Sequence, residues 1–186
     1  MSLWFFLIGI PLFCYGSLAV AKPELAAKGV LKFPRSSALG AVLAVAAWFF
    51  TAYELDTIGI EAFDKFLKMF PAELWILAAV LSVLTIKWMD NLLPIRAVCA
   101  LMMLFPAEMF PMIRLSETPL RLCLVVFAYV CIITGMFGMF YPWRIFQFLR
   151  WRTEKVSRVK MDGAVVLSIG VLFAALGTLS FLQVIK

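Results

Sequence analysis

The chain has 186 residues, of which 65% are hydrophobic and 15% charged, and its formal net charge is +6. Apolar usage in a soluble domain is nearer half, so this composition excludes an ordinary water-soluble fold and makes the bilayer the solvent. Nor does the positive charge point to nucleic acid, because Lys and Arg concentrate in short connections beside apolar runs, which is how membrane topology is encoded.

The first predicted span covers residues 3–21, long enough at about 1.5 Å per residue for a hydrocarbon layer of about 30 Å, with Pro11 expected to kink it. Its end, Ala19-Val20-Ala21, imitates a signal-peptidase site. No positive region precedes the apolar run, however, and cleavage would strand Lys22, Lys28, Lys32 and Arg35 outside, so the run reads as a span. The segment after it has four bases against one acid (Glu24) and is expected to be cytoplasmic, with the N-terminus outside. The second predicted span is 36–53. Its Ser36, Gly40, Ala44, Ala47 and Thr51 recur at spacings of four and three, a strip of small residues that suggests helix packing in preference to ligand binding.

Between residues 54 and 73 the charge pattern inverts, which predicts an outer connection. Ile60, Phe63, Phe66, Leu67 and Phe70 fall on one helical face and Glu61, Asp64, Lys65 and Lys68 on the other, as in a short amphipathic helix lying in the outer interface. The third span, 72–88, is bounded by Glu73 and Lys87. The fourth, 92–113, contains Arg96, Glu108 and three prolines, Pro94, Pro106 and Pro111. Two readings stand for this pair: two full crossings with snorkelling end charges, or a re-entrant hairpin. The fifth span, 120–141, carries a small-residue strip at Ala128, Cys131, Gly135 and Gly138. The sixth, 163–185, carries another at Gly170, Ala174 and Gly177. The three strips predict a compact bundle with the second, fifth and sixth spans at its centre.

The connection between the last two spans is the most basic stretch of the chain. Arg144, Arg150, Arg152, Lys155, Arg158 and Lys160 face one acid, Glu154, and are expected to meet anionic headgroups, at about 1 kcal/mol per charge close to the surface. With this connection inside, twelve of the 17 Lys and Arg lie in predicted cytoplasmic connections, which places both termini outside. Trp75, Trp88, Trp143 and Trp151 fall near the predicted boundaries, where indole rings settle.

Gly16 precedes Pro23 by seven residues, and Gly135 precedes Pro142 by seven. A basic connection and a helix opening near a glycine, Gly40 or Gly163, follow each proline. The pattern suggests a parallel hairpin repeat, 3–53 and 120–185, inside a single integral membrane domain spanning 1–186. Such hairpins are similar to those of small bacterial inner-membrane proteins, a resemblance that implies the inner membrane and transfers no activity.

Chemistry is sparse. In LFPAEMFPMIR, Pro106 and Pro111 cannot donate to the carbonyls of Met102 and Ala107, so two acceptors are freed near Glu108, with Arg114 close by. Charges beside broken helices build sites in transporters; the competing reading is a carboxylate beneath the outer headgroups, paired with Arg114 or Arg121, that ends the helix. Cys14, Cys99, Cys123 and Cys131 lie in apolar runs without CxxC spacing, and the chain has no histidine, which argues against disulfides, a metal site or His-based catalysis. No phosphate-binding loop, dinucleotide fingerprint, zinc-protease motif or nucleophile elbow occurs. The expectation is therefore a non-enzymatic, cofactor-free bundle of six transmembrane helices. Its role would be that of a structural or accessory subunit binding anionic lipid on the cytoplasmic side, other membrane proteins or itself; the alternative is a small permease or channel with Glu108 in its pathway.

Overall fold

The computed structural model describes residues 2–57, 71–89, 92–115 and 121–185. Eight α-helices run through them: α1 (Ser2–Ala21), α2 (Pro23–Lys32), α3 (Ser37–Thr57), α4 (Pro71–Trp88), α5 (Leu93–Arg114), α6 (Arg121–Phe140), α7 (Pro142–Thr153) and α8 (Val156–Ile185). A 3-10 turn, Phe33–Arg35, leads into α3. Lipid offers peptide groups no hydrogen bonds, and a helix satisfies them within itself, so apolar runs of this length become helices. Five helices, α1, α3, α5, α6 and α8, are long and apolar enough to cross a membrane. The expected outer interfacial helix near residues 60–70 lies outside the described residues.

Two connections expected between spans are themselves helical, as α2 and α7. Each opens on a proline, Pro23 or Pro142, whose fixed φ and missing N–H suit the first helical position. The last helix also starts earlier than the apolar run suggests, at Val156 and not near Gly163, so that Arg158 and Lys160 belong to its first turns. At 30 residues α8 measures about 45 Å, longer than the hydrocarbon layer, which leaves those turns for the headgroup region. Pro106 and Pro111 do not interrupt α5, which runs as one helix of 22 residues.

The chain divides into two compact units, one made of Met1–Lys32, Glu108–Tyr129 and Gln147–Lys186, the other of Phe33–Ala107 and Val130–Phe146. In the first, α1 packs antiparallel along α8. Ala19 opposes Gly163, Gly16 opposes Leu167, Phe13 opposes Gly170, Gly9 opposes Ala174 and Phe6 opposes Gly177. Glycines seven apart keep one face of each helix toward the other, as in a heptad seam. A Cβ on Gly16 would stand 2.6 Å from the Leu167 nitrogen, and one on Gly170 2.6 Å from the Phe13 nitrogen, so the backbones approach as closely as glycine permits. Farther along, Phe173 meets Phe5 and Phe127, with ring centroids 5.9 and 5.4 Å away. At the other end of the pair, α2 folds back so that Ala26 packs on Ala19 and Val159.

In the second unit the starts of α3 and α5 meet where Gly40 faces Pro94; a Cβ there would lie 2.9 Å from the proline Cδ. Above that contact Ala44 packs with Leu93 and Ala97. The end of α6 lies against α5 through Gly135 and Gly138, which face Cys99 and Met103. Phe146 of α7 is buried on Ile95 and Cys99.

Gly170→Ala should therefore lower stability by about 1–3 kcal/mol, because the added methyl must push α1 away from α8. Gly29 has nothing within 4 Å of its would-be Cβ, so Gly29→Ala should raise stability by up to about 1 kcal/mol through helix propensity. Thermal unfolding of both variants in detergent checks the pair; equal behaviour would contradict the close approach.

Candidate functional site

The first candidate is the end of the first unit where α2, α7 and α8 come together. The fold brings two basic connections there, one with Lys22, Lys28 and Lys32, the other with Arg150, Arg152, Lys155, Arg158 and Lys160. The Thr153 hydroxyl donates to the carbonyls of Leu149 and Arg150 at 2.8 and 3.0 Å, which closes α7. The chain then bends at Glu154 and Lys155 and restarts as α8, with the Lys155 carbonyl accepting from the Arg158 and Val159 amides.

This turn gives the six expected headgroup ligands different surroundings. Arg152 forms an ion pair with Asp162 at 2.8 Å, its guanidinium 5.2 Å from the Phe148 ring centroid. Arg158 lies 4.3 Å over the Trp151 ring, donates to the Trp151 carbonyl at 2.9 Å and sits 3.9 Å from Glu154. Both guanidiniums are thus held by this unit's own groups. Arg144, Arg150, Lys155 and Lys160 are exposed. So are the aromatic side chains that alternate with them along α7, Trp143, Phe148 and Trp151, at 57%, 51% and 49%. A helix exposing both bases and large aromatics suits the headgroup layer, where each kind of side chain finds its own medium. Beside the ion pair lies a recess of about 340 Å³ reached by Tyr15, Val30 and Phe148.

The second candidate is a cavity of about 350 Å³ in the second unit. Ala44, Ala47, Trp48 and Thr51 of α3 form one wall, at spacings that keep them on a single helical face. Arg96, Ala97, Ala100, Met103 and Leu104 of α5 form the wall across from it. Of the small-residue strip on α3, Gly40 closes on Pro94, whereas Ala44, Ala47 and Thr51 also border open space. Most polar groups on the lining are satisfied. The Trp48 indole donates to the Thr85 hydroxyl at 2.9 Å, that hydroxyl donates to the Leu81 carbonyl at 2.7 Å, and the Thr51 hydroxyl donates to the Ala47 carbonyl at 2.8 Å. Arg96 differs: it is half-buried, and its Nε is buried without a hydrogen-bond partner. The turn before it is pinned by Leu92, a non-glycine residue at φ 59°, whose carbonyl accepts from the Ile95 and Arg96 amides.

Glu108 lies on α5, half-buried, and no ion pair joins it to a described residue, the Arg114 or Arg121 of the competing reading included. Pro106 beside it is buried, while Pro111 and Arg114 are exposed. From the sequence alone Arg96 is one of two charges inside the predicted fourth span, near its start. Its role at the cavity follows from the i, i+1, i+4, i+7 pattern of Arg96, Ala97, Ala100 and Met103, a signal present in the sequence but informative only once α3 is known to face it. Asp162 was missed as well, because its partner lies ten residues back across a turn.

The chain matches no family model, no curated protein and no solved structure. Fold and composition define its class: it is a multi-pass helical membrane protein.

Asp162→Asn should free Arg152 and so add one available cation to the basic end. Its preference for spin-labelled phosphatidylglycerol over phosphatidylcholine at the protein boundary should rise by about fivefold, the factor matching about 1 kcal/mol per charge. An unchanged preference would mean that Arg152 already faces the lipid.

Proposed function

We propose that the chain is a non-enzymatic accessory subunit of the bacterial inner membrane, held to anionic lipid at its cytoplasmic end and docking other membrane proteins through its apolar flanks. The observation that carries this reading is the gathering of both basic connections at one end of the first unit, with Arg150, Lys155 and Lys160 exposed beside Phe148 and Trp151. Anionic headgroups are the polyanion that such an end meets in a membrane.

The same reading has six crossings with both termini outside. Antiparallel packing of α1 on α8 supports it, since the first and last spans can run in opposite directions only if the number of crossings is even. The sixth crossing is then α4, whose 18 residues measure about 27 Å, with Glu73 and Lys87 at its ends able to snorkel. The order long helix, proline-led short helix, long helix occurs as α1–α2–α3 and again as α6–α7–α8, in keeping with a hairpin repeat.

Reporter fusions test the topology: fusions at Lys28 and Arg152 should read cytoplasmic, and one at the C-terminus should read external. A cytoplasmic C-terminus would overturn the six-crossing arrangement. The lipid role is tested by replacing Arg150, Lys155 and Lys160 together with Gln, which should lower the boundary preference for phosphatidylglycerol severalfold; an undiminished preference would contradict it.

A further inference from the structure

We propose that the cavity of the second unit holds one acyl chain of an anionic glycerophospholipid, whose phosphate is bound by Arg96. The proposal shares with the functional reading only the choice of an anionic headgroup; its site is a different part of the molecule.

The argument starts from what the cavity lacks. Its walls are alanine, methionine, leucine and the apolar face of Trp48, and Trp48, Thr51 and Thr85 have their hydrogen bonds already. A polar solute would find almost nothing to bind there, and water would be held poorly. An apolar chain fits. Yet Arg96, a permanent cation, also lines it, and its Nε is buried without a hydrogen-bond partner, an arrangement that costs free energy. The complement of an apolar cavity with an arginine on its lining is an amphiphile with an anionic head.

Length and position narrow the choice. From Leu93 to Leu104 the α5 lining extends about 17 Å, a little over half of the hydrocarbon thickness, and the volume lies at the low end of the range for ligand pockets, about 300–1,000 Å³. That suits one acyl chain of a lipid whose second chain stays in the bilayer. The lining residues Met89 and Met139 are exposed, so the cavity opens to its surroundings beside them, and methionine adapts to irregular occupants. Arg96 sits one turn into α5, near the meeting of Gly40 with Pro94 at the start of α3, which is the end of this unit that carries Arg35 and Lys87. A phosphate at headgroup depth therefore reaches Arg96 while its chain points inward. Guanidinium forks bind phosphate oxygens in pairs, which gives the site direction as well as charge.

Native mass spectrometry of the full chain, released from detergent with dioleoyl-phosphatidylglycerol or dioleoyl-phosphatidylcholine, tests the proposal. The wild type should keep one phosphatidylglycerol per chain with about tenfold preference. Arg96→Gln should retain one lipid without preference. Ala100→Phe, which fills the cavity and leaves Arg96 in place, should retain neither lipid. The triple Gln variant at Arg150, Lys155 and Lys160 should keep its single phosphatidylglycerol, which separates this site from the basic end. Equal retention of the two lipids by the wild type, an undiminished preference in Arg96→Gln, loss of the bound lipid in the triple variant, or displacement of phosphatidylglycerol by an equal concentration of oleate would each overturn it. Should Arg96→Gln fail to fold, the wild-type selectivity and Ala100→Phe still decide.

Discussion

Inside a bilayer an apolar side chain gains little by leaving lipid for protein, so helices stay together only where their surfaces fit closely. The rest of this structure depends on that constraint. It explains why glycine recurs where helices meet: Gly9 and Gly16 of α1 against Ala174 and Leu167, Gly163, Gly170 and Gly177 of α8 against Ala19, Phe13 and Phe6, Gly40 against Pro94, and Gly135 and Gly138 against Cys99. It also explains why large apolar side chains such as Val42, Val126, Ile133 and Leu182 remain exposed, since lipid solvates them as well as protein would. Close approach of α1 to α8 carries the consequence for function. It sets the first and last long helices antiparallel, and at one end it brings α2 beside the turn between α7 and α8, so that two basic stretches far apart in the chain share one surface.

Where that packing relaxes, the molecule has room for chemistry. On α3 the same kind of residue serves two uses: Gly40 lets Pro94 come close, while Ala44 and Ala47, larger by one methyl each but still short, border a cavity together with Trp48 and Met103. Arg96 is affordable at that depth because it lies near the end of its helix. In the first unit the bases have a second use. Arg152 and Arg158 are spent on Asp162, Phe148 and Trp151, which fixes the turn from α7 to α8, and their exposed neighbours Arg150, Lys155 and Lys160 are presented on the resulting scaffold.

The spans could be read from the sequence because long apolar runs in lipid have one backbone solution, and the all-helical class followed directly. The short helices α2 and α7 were harder to read, since their composition is that of a basic loop, and only the proline at the first position and the burial of Ala26 and Phe146 mark them as packed elements. The seam on α1 is hard to read in the sequence because its two glycines stand seven apart among phenylalanines, without the run of small residues that marks α3. Arg96 is hard to read for another reason: its significance depends on sharing a cavity with Ala44 and Ala47, and no local pattern states which helices face each other. Pro106 and Pro111 suggested a broken helix, but a membrane helix can accommodate freed carbonyls, and α5 runs through both.

The proposed lipid contact requires α7 to rest in a headgroup layer. A single spin label at position 151, in the full chain reconstituted in a bilayer, measures this directly through the balance of its relaxation by oxygen, which enriches in hydrocarbon, and by a water-soluble nickel chelate. The account predicts a depth at the headgroup and carbonyl boundary, with both relaxants effective. A label at the hydrocarbon centre, inaccessible to nickel, or one fully in water, indifferent to lipid, would contradict it.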